Sequence, residues 1–317
     1  MAAVSRLRRL RPAGGGAPLT DTASQIARGA LAVSLVMVLA PGGVADPPVP
    51  AAATMGTCSV PELVSHRGYA SAVTENTMRA FDRALEAGSD RVEFDVRFTR
   101  DHHPVLMHDP TVERTTSGSG RVSSMSLARF RALRTTDGQH PPTLFQVLAA
   151  LRGRVAEVLV ELKVVPDAAD LRFLQASYRL LNAYQWASMT SFSPAALKAV
   201  GSIPARKGLL ATSAPQTALA RQFDFVGVRY DSLTRSRVRA YRNVGVAVYT
   251  WTPNTPAAWR RLADYGVSRI ITDRTPAYLA WARRACDERG PDAGLHRAAA
   301  LRRAVRPAPQ LLRDPTS

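Results

Sequence analysis

From Pro61 onward the chain alternates short apolar runs with helix-spaced segments, eight times over. The apolar runs are LVSH, RVEFDV, VLVELK, WASMTSF, RKGLLA, DFVGVR, VAVYTWT and VSRIIT. Each is followed, directly or after a loop, by a segment of helical spacing. Over 75–87, for example, Met78, Phe81 and Leu85 share one face and Gly88 stops the helix. Helices are likewise expected over 143–151 and 168–181. Such alternation builds a parallel sheet covered by helices. Eight units between residues 61 and 286 fit a closed (β/α)8 TIM barrel. An open doubly wound sheet would alternate in the same way. The glycine fingerprint of its dinucleotide-binding version is absent, because GSGSG at 116–120 lacks the strand–turn–helix setting. Residues 110–142, rich in Ser, Thr, Gly and Arg, read as a short insertion after the second strand with one helical segment, SLARFRAL.

The second strand carries the first sign of chemistry. Successive strand side chains alternate faces, so Glu93 and Asp95 point one way while Val92, Phe94 and Val96 point the other. In a parallel sheet neither face meets bulk water, and two neighbouring carboxylates there repel each other and lose hydration. A hard cation relieves both costs. An edge strand with one solvated face is the plainer alternative. PVLMH, which follows as a short strand extension, delivers His108 and Asp109 close to the same platform.

Barrel active sites lie at the C-terminal ends of the strands. There this sequence places His66 and Arg67 after the first strand, Glu93 and Asp95 on the second, His108 and Asp109 after its extension, Glu161 and Lys163 on the third, and Trp251 on the seventh. Charges gathered at one end are hard to explain as packing, because each one buried without a partner is costly. The set suits a phosphodiester. Glu93, Asp95 and Glu161 can hold one divalent cation, Arg67 and Lys163 can neutralise phosphate oxygens, and His66 and His108 can serve as acid and base on either side of phosphorus.

The motifs that carry these residues resemble the glycerophosphodiester phosphodiesterase family. The matching pieces are SHRG at 65–68, ENTMRAFDRALEAGSDRVEFDVRFTRD at 75–101, PVLMHD at 104–109, ERTTSGSGRV at 113–122, PTL at 142–144, VELK at 160–163, YTWTPN at 249–254 and ITDRTP at 271–276. The resemblance implies a TIM barrel that uses Ca2+ or Mg2+ to cleave deacylated phospholipids to glycerol 3-phosphate and an alcohol. It implies metal ligation by Glu93, Asp95 and Glu161, acid–base roles for His66 and His108, phosphate contacts from Arg67 and Lys163, and packing of Trp251 on the glycerol or alcohol moiety. It also implies supporting roles for Glu75 beside the metal and for Asp109 beside a reacting neighbour. Attack by the substrate's own glycerol hydroxyl, through a cyclic phosphate, is one route the resemblance raises. The alternatives in other classes are a lysophospholipase D or sphingomyelinase D type of headgroup cleavage, and a secreted barrel that binds phosphodiesters without turnover. Two departures stand out. Asp101-His102-His103 replaces the family's frequent Asp-Gly turn, and Phe145-Gln146 stands where acidic residues often follow PTL. With only a short insertion and no large cap, the mouth is expected to be open enough for longer substrates.

The ends of the chain read as address rather than fold. SRLRRLRP, the apolar run Gly29–Ala40 and PGGVA make residues 1–45 a signal peptide or export segment, with an uncleaved membrane anchor as the alternative. Residues 46–57 form a linker, 58–286 the catalytic domain, and 287–317 a basic tail expected to be poorly ordered; a helix touching a membrane or wall surface is the other reading of that tail. Net charge is +17; residues 1–45 hold five Arg and one Asp, which leaves +13 for the remainder. Basic interleaved helices, zinc spacings and RNP-like strands are all missing, which argues against nucleic acid as a partner and leaves phosphodiesters as the expected one. In an oxidising compartment the two cysteines, Cys58 before the first strand and Cys286 at the end of the last helix, are expected to pair at the bottom of the barrel. The loop-entropy model gives such a bridge roughly 4–5 kcal/mol.

Overall fold

The structure, a computed structural model, describes residues 60–287. In chain order the principal elements are β1 (Glu62–Ser65), α1 (Met78–Glu86), β2 (Arg91–Phe98), β3 (Pro104–Leu106), α2 (Leu127–Ala132), α3 (Leu144–Leu151), β4 (Glu157–Leu162), α4 (Ala168–Leu181), β5 (Ala187–Ser191), α5 (Pro194–Ala199), β6 (Lys207–Ala211), α6 (Thr217–Ala220), β7 (Phe225–Arg229), α7 (Arg235–Asn243), β8 (Ala247–Trp251), α8 (Pro256–Tyr265), β9 (Arg269–Thr272) and α9 (Thr275–Asp287). Eight strands run parallel in the order β1, β9, β8, β7, β6, β5, β4, β2, and β1 pairs with β2 to close the barrel. The eightfold alternation therefore resolves as a TIM barrel, not an open sheet.

The ninth strand is the exception that matters for function. β3 is antiparallel to β2, with Leu106 opposite Val96 and Pro104 opposite Phe98. It runs back along β2, so the chain leaving it returns to the level of Asp95, whose carbonyl accepts the Met107 N–H at 3.1 Å. His108 is thus brought beside the acidic pair by a reversal of the chain, not by a strand end.

Side-chain parity sorts the core into layers. On β2, Val92, Phe94 and Val96 face outward into one core cluster with Phe81 of α1 and Leu148 of α3, and Val158, Val160 and Leu162 of β4 belong to the same cluster. The inward faces supply a smaller cluster, Val64, Leu159, Phe225, Tyr249 and Ile271, which fills the barrel below the catalytic level. The insertion has a core of its own around Val112, Val122, Met125 and Phe130.

One helix departs from its expected start. Helical spacing predicts α1 from Glu75, yet it begins at Met78 with Thr77 as N-cap, its hydroxyl accepting the Ala80 N–H. Asn76 has φ +57°, a left-handed conformation that no helix accommodates. Its side chain explains why: the amide is held by Asp95, as described below. Gly68, at φ +78°, lies so close to Ala80 that a Cβ would come within 2.7 Å of its carbonyl oxygen, so the His66–Arg67 turn presses on α1 only with glycine there. Gln146, one of the departures after PTL, completes a capping box with Thr143 at the start of α3.

Cys286 is disulfide-bonded. Cys58 lies outside the described residues, as do the export segment 1–45, the linker 46–57 and residues 288–317 of the tail. Among the described residues no helix is long and apolar enough to cross a membrane.

Candidate active site

At the C-terminal end of the barrel one cavity of about 150 Å3 is lined by His66, Arg67, Glu93, His108, Glu161, Lys163 and Trp251, together with Thr190, Phe192, Leu210 and Ile271. Asp95 is fully buried and is not part of that lining. Glu93, Asp95 and Glu161 each offer an oxygen, and these atoms all lie within 4.8 Å of one another. Register explains the grouping, since Asp95 and Glu161 are direct partners across β2 and β4.

The acidic group is only partly satisfied by the protein. Asp95 Oδ2 accepts the Asn76 amide at 2.8 Å and pairs with Arg67 Nε at 3.1 Å. The Asn76 carbonyl in turn accepts the Asp95 N–H. Glu93 Oε2 accepts the Arg67 N–H at 3.0 Å, and Glu161 Oε1 accepts Lys163 Nζ at 2.6 Å. Lys163 also sits 3.4 Å from Asp95 Oδ1 without a hydrogen bond. Glu93 Oε1 and Asp95 Oδ1 are buried and have no hydrogen-bond partner. Burial first, and then the charge of Asp95, push the Glu93 carboxyl up to about 8. These orphaned oxygens and this frustrated carboxyl fit a hard cation, which takes oxygen ligands and offsets their repulsion.

The two imidazoles sit in different frames. His66 Nδ1 is 2.6 Å from Asp273 Oδ1, and His66 Nε2 is 3.9 Å from Glu93 Oε2. Burial lowers the His66 pKa, but the bond to Asp273 and the Glu93 charge outweigh it, and the net direction is upward. Asp273 is itself anchored: Asn254 donates to its Oδ2 at 2.7 Å and accepts its backbone N–H at 3.1 Å. His108 Nδ1 is 2.6 Å from Asp109 Oδ1. Here burial, aided by the charges of Arg67 and Lys163, outweighs Asp95 and Asp109 and moves the pKa down. In each ring Nδ1 is committed to a carboxylate, which leaves Nε2 for a ligand.

Around this centre the predicted supporting residues form a connected shell. Glu75 bonds Arg67 Nη1 at 3.0 Å and Arg114 Nη2 at 2.6 Å; Arg114 also binds Asp109 through its Nε. Arg97 donates twice to the His108 carbonyl, at 3.0 and 2.8 Å. Trp251 is fixed by a bond from its Nε1 to the Gly227 carbonyl at 2.9 Å and meets Phe192 edge-on, ring centres 5.3 Å apart. The nine residues expected at one end of the barrel are therefore brought together there, and Glu75 joins them through Arg67 and Arg114. Sequence reasoning passed over Asp273, Asn254, Asn76, Arg114 and Phe192. The first four stand inside the matching motifs ITDRTP, YTWTPN, ENT and ERTTSGSGRV, of which the second and third point to Trp251 and Glu75 and the other two to no site residue.

A second group, His102, Asp167 and Asp170, also brings ligand atoms within 4.8 Å. Its carboxylates already have work: Asp167 Oδ1 caps the Ala169 and Asp170 N–H groups of α4, and Asp170 Oδ2 accepts the Asp167 N–H. His102, at φ +66°, occupies a left-handed turn position of the kind that favours glycine. His103 is not part of that group; its ring meets Phe173 at a tilt of 45°, ring centres 4.3 Å apart.

Residues 66–277 match the family model for the glycerophosphoryl diester phosphodiesterase family. The chain belongs to that family. A glycerophosphodiester phosphodiesterase of Caldanaerobacter subterraneus is 30% identical over 227 residues, covering 67% of this chain and 93% of that one. The solved glycerophosphodiester phosphodiesterase of Agrobacterium tumefaciens is 27% identical with a TM-score of 0.62, covering 69% of this chain and 99% of its own. An Oleispira antarctica phosphodiesterase, solved with the product sn-glycerol-3-phosphate, shares the fold at a TM-score of 0.63 and 21% identity, over 70% of this chain and 96% of that one. Phosphodiester hydrolysis on a small-molecule substrate is the activity that goes with membership.

Proposed function

We propose that this barrel hydrolyses glycerophosphodiesters to glycerol 3-phosphate and an alcohol, with one divalent cation, Ca2+ or Mg2+, held by Glu93, Asp95 and Glu161. The observation that carries this reading is the pair of buried, unpartnered oxygens, Glu93 Oε1 and Asp95 Oδ1, beside two imidazoles in one cavity. A bound cation would supply positive charge to the phosphate oxygens as the transition state gathers negative charge. The protein does the rest. Arg67 and Lys163 neutralise the same oxygens, and their present bonds to Glu75 and Glu161 hold them aimed at the cavity. One of His66 and His108 takes the proton of the attacking oxygen, and the other gives a proton to the leaving alcohol. Asp273 and Asp109 fix the two rings. Trp251, pinned at its indole nitrogen, offers an apolar wall to the carbon skeleton. In the same reading the catalytic domain spans 58–286, and the basic, apolar N-terminus exports it to the cell envelope or beyond, in keeping with the oxidised Cys286.

The test is release of glycerol 3-phosphate from glycerophosphocholine and glycerophosphoethanolamine, with and without chelator. Turnover that chelator abolishes and Ca2+ or Mg2+ restores is expected. His66→Ala and His108→Ala should each lose about 10²–10⁴ in rate. Near-normal turnover by either variant removes that residue from the mechanism, and turnover indifferent to chelator removes the cation.

A further inference from the structure

Among the described residues, the eight parallel strands carry six serines and threonines. Five of them, Ser65, Ser188, Ser191, Thr250 and Thr272, are hydrogen-bonded through their hydroxyls. The sixth is Thr190 on β5. It is 1% exposed, and its Oγ1 has no hydrogen-bond partner among the described residues. Strand parity turns it into the barrel, because Ala187 and Met189 belong to the outer core cluster while Ser188 reaches the inward Glu157. Register explains why it stays unpartnered. Its neighbour on β6 is Gly208, which has no side chain, and its neighbour on β4 is Glu161, whose Oε1 is held by Lys163.

Thr190 lines the catalytic cavity. The other lining side chains are titratable or apolar, except Thr252, which is half-buried. Thr190 is thus the one buried, neutral, polar side chain of that lining. A buried hydroxyl without a partner is costly, and a ligand that brings the partner removes the cost. A hydroxyl both donates and accepts, and it carries no charge. It therefore suits a neutral hydroxyl, whereas phosphate oxygens are better served by Arg67 and Lys163. A glycerophosphodiester has two free hydroxyls. The one on the middle carbon is close enough to phosphorus to attack it. The terminal one lies a carbon further away, takes no part in the chemistry and needs a partner once water has left the cavity.

Resting on the proposed phosphodiesterase function, we infer that the Thr190 hydroxyl hydrogen-bonds the terminal hydroxyl of the substrate's glycerol, and so selects glycerol diesters over diesters of a diol that lacks it. With no bond inside the protein, Oγ1 sacrifices none when χ1 turns it toward the ligand. Phe192 and Trp251 in the same lining supply the apolar surface against which a lone hydroxyl has few other partners. A wall of that kind discriminates little by itself. A site that hydrogen-bonds a substrate hydroxyl rejects the analogue without it far more strongly than an apolar pocket rejects an added one.

The experiment measures choline release from glycerophosphocholine and from 2-hydroxypropyl phosphocholine, the same diester without the terminal hydroxyl. Wild type should favour glycerophosphocholine about tenfold or more in kcat/KM. Thr190→Val keeps the shape and drops the hydroxyl. It should lose about tenfold on glycerophosphocholine and stay within about twofold on the analogue, so that the preference disappears. Thr190→Ser, which keeps a hydroxyl, should retain it. Thr190→Val should also melt no lower than wild type, since no hydrogen bond is lost, and should need the same Ca2+ concentration for half-maximal rate. Equal turnover of the two substrates by wild type overturns the assignment, as do equal losses on both in Thr190→Val. A raised Ca2+ requirement in that variant overturns it too, by giving the hydroxyl to the cation. No choline release from either substrate by wild type would instead overturn the phosphodiesterase reading on which the assignment rests.

Discussion

Glu157 and Glu161 lie four residues apart on β4, on the same inward face, and lead opposite lives. Glu157, at the N-terminal end of the barrel, has both oxygens taken. Oε1 accepts from Ser188 at 2.9 Å and from Arg206 at 3.4 Å, and Oε2 accepts from Arg269, which also reaches Glu62 at 2.8 Å. Glu161, at the other end, shares its neighbourhood with two more carboxylates, and two of their oxygens have no partner. Both groups are buried and both contain cations. The lower one closes its hydrogen bonds within the protein, whereas the upper one leaves them for something from outside. Burial of charge alone does not mark a functional site; incomplete satisfaction of that charge does.

The largest effects should come from breaking that contrast with one substitution at each end. Glu157→Ala takes the buried carboxylate from Arg269, which keeps only the half-exposed Glu62, and from Arg206, and leaves the Ser188 hydroxyl without its acceptor. It should cost about 3–5 kcal/mol of stability, the usual range for a buried pair deprived of one partner. Thermal unfolding should move down by roughly 6–20 °C in a domain of this size, while the folded fraction keeps its affinity for the cation. Glu93→Gln should do the reverse. Below pH 8 it replaces a carboxyl that is already protonated in the ion-free fold by a neutral amide of the same size, so the ion-free protein should melt no lower than wild type, and cation binding should be lost. If Glu93→Gln unfolded the protein and Glu157→Ala did not, the two ends would have exchanged roles.

The difference between these ends was legible in part. The parity of Glu93 and Asp95 follows from the period of a strand, and a strand's C-terminal end in a barrel is fixed by chain direction, so His66, Glu161 and Lys163 could be placed from sequence. Asp273 could not: it meets His66 across 207 positions, because β9 closes beside β1. Asn76 was hidden by its surroundings, since the helical spacing of 75–87 absorbs it, and only the left-handed backbone shows that it serves Asp95 instead. Arg114 lies in the insertion, whose path has no periodicity to read, and Phe192 looks like the last apolar residue of a strand.

The contrast sharpens with pH. Glu93, raised from its ordinary 4.5 to about 8 by burial and by Asp95, keeps a proton in the ion-free fold that the unfolded chain releases. Stability of the ion-free protein should therefore fall as pH rises from 4.5 toward 8. A cation must displace that proton, so its affinity should rise by up to tenfold per pH unit below 8 and level off above. Melting curves with and without Ca2+ at pH 6, 7 and 8 measure both trends, and the stabilisation by the ion should be largest at pH 8. A calcium shift independent of pH would mean that Glu93 does not exchange its proton for the ion.

The smallest effect expected belongs to the frame of His66. Among the described residues the Asp273 side chain bonds His66 and Asn254, and Asn254 holds Asp273 from behind by two hydrogen bonds. Asp273→Asn keeps the size but loses the charge that fixes the ring and favours its protonated form. It should lower kcat about 10–100-fold, the range for partners that orient a site residue, with KM little changed. Asn254→Ala, which only loosens Asp273, should cost less. A merely structural role would lower the melting temperature and leave the pH dependence of kcat where it was. An orienting role should instead shift the limb of that profile that reports His66 toward lower pH, since the imidazolium loses its counter-charge. Asp109 is the matched control on the other ring. It is half tied up by Arg114, so its loss should disturb both His108 and the Glu75–Arg67 contact, and only the Asp273 variant is expected to move the profile without moving KM.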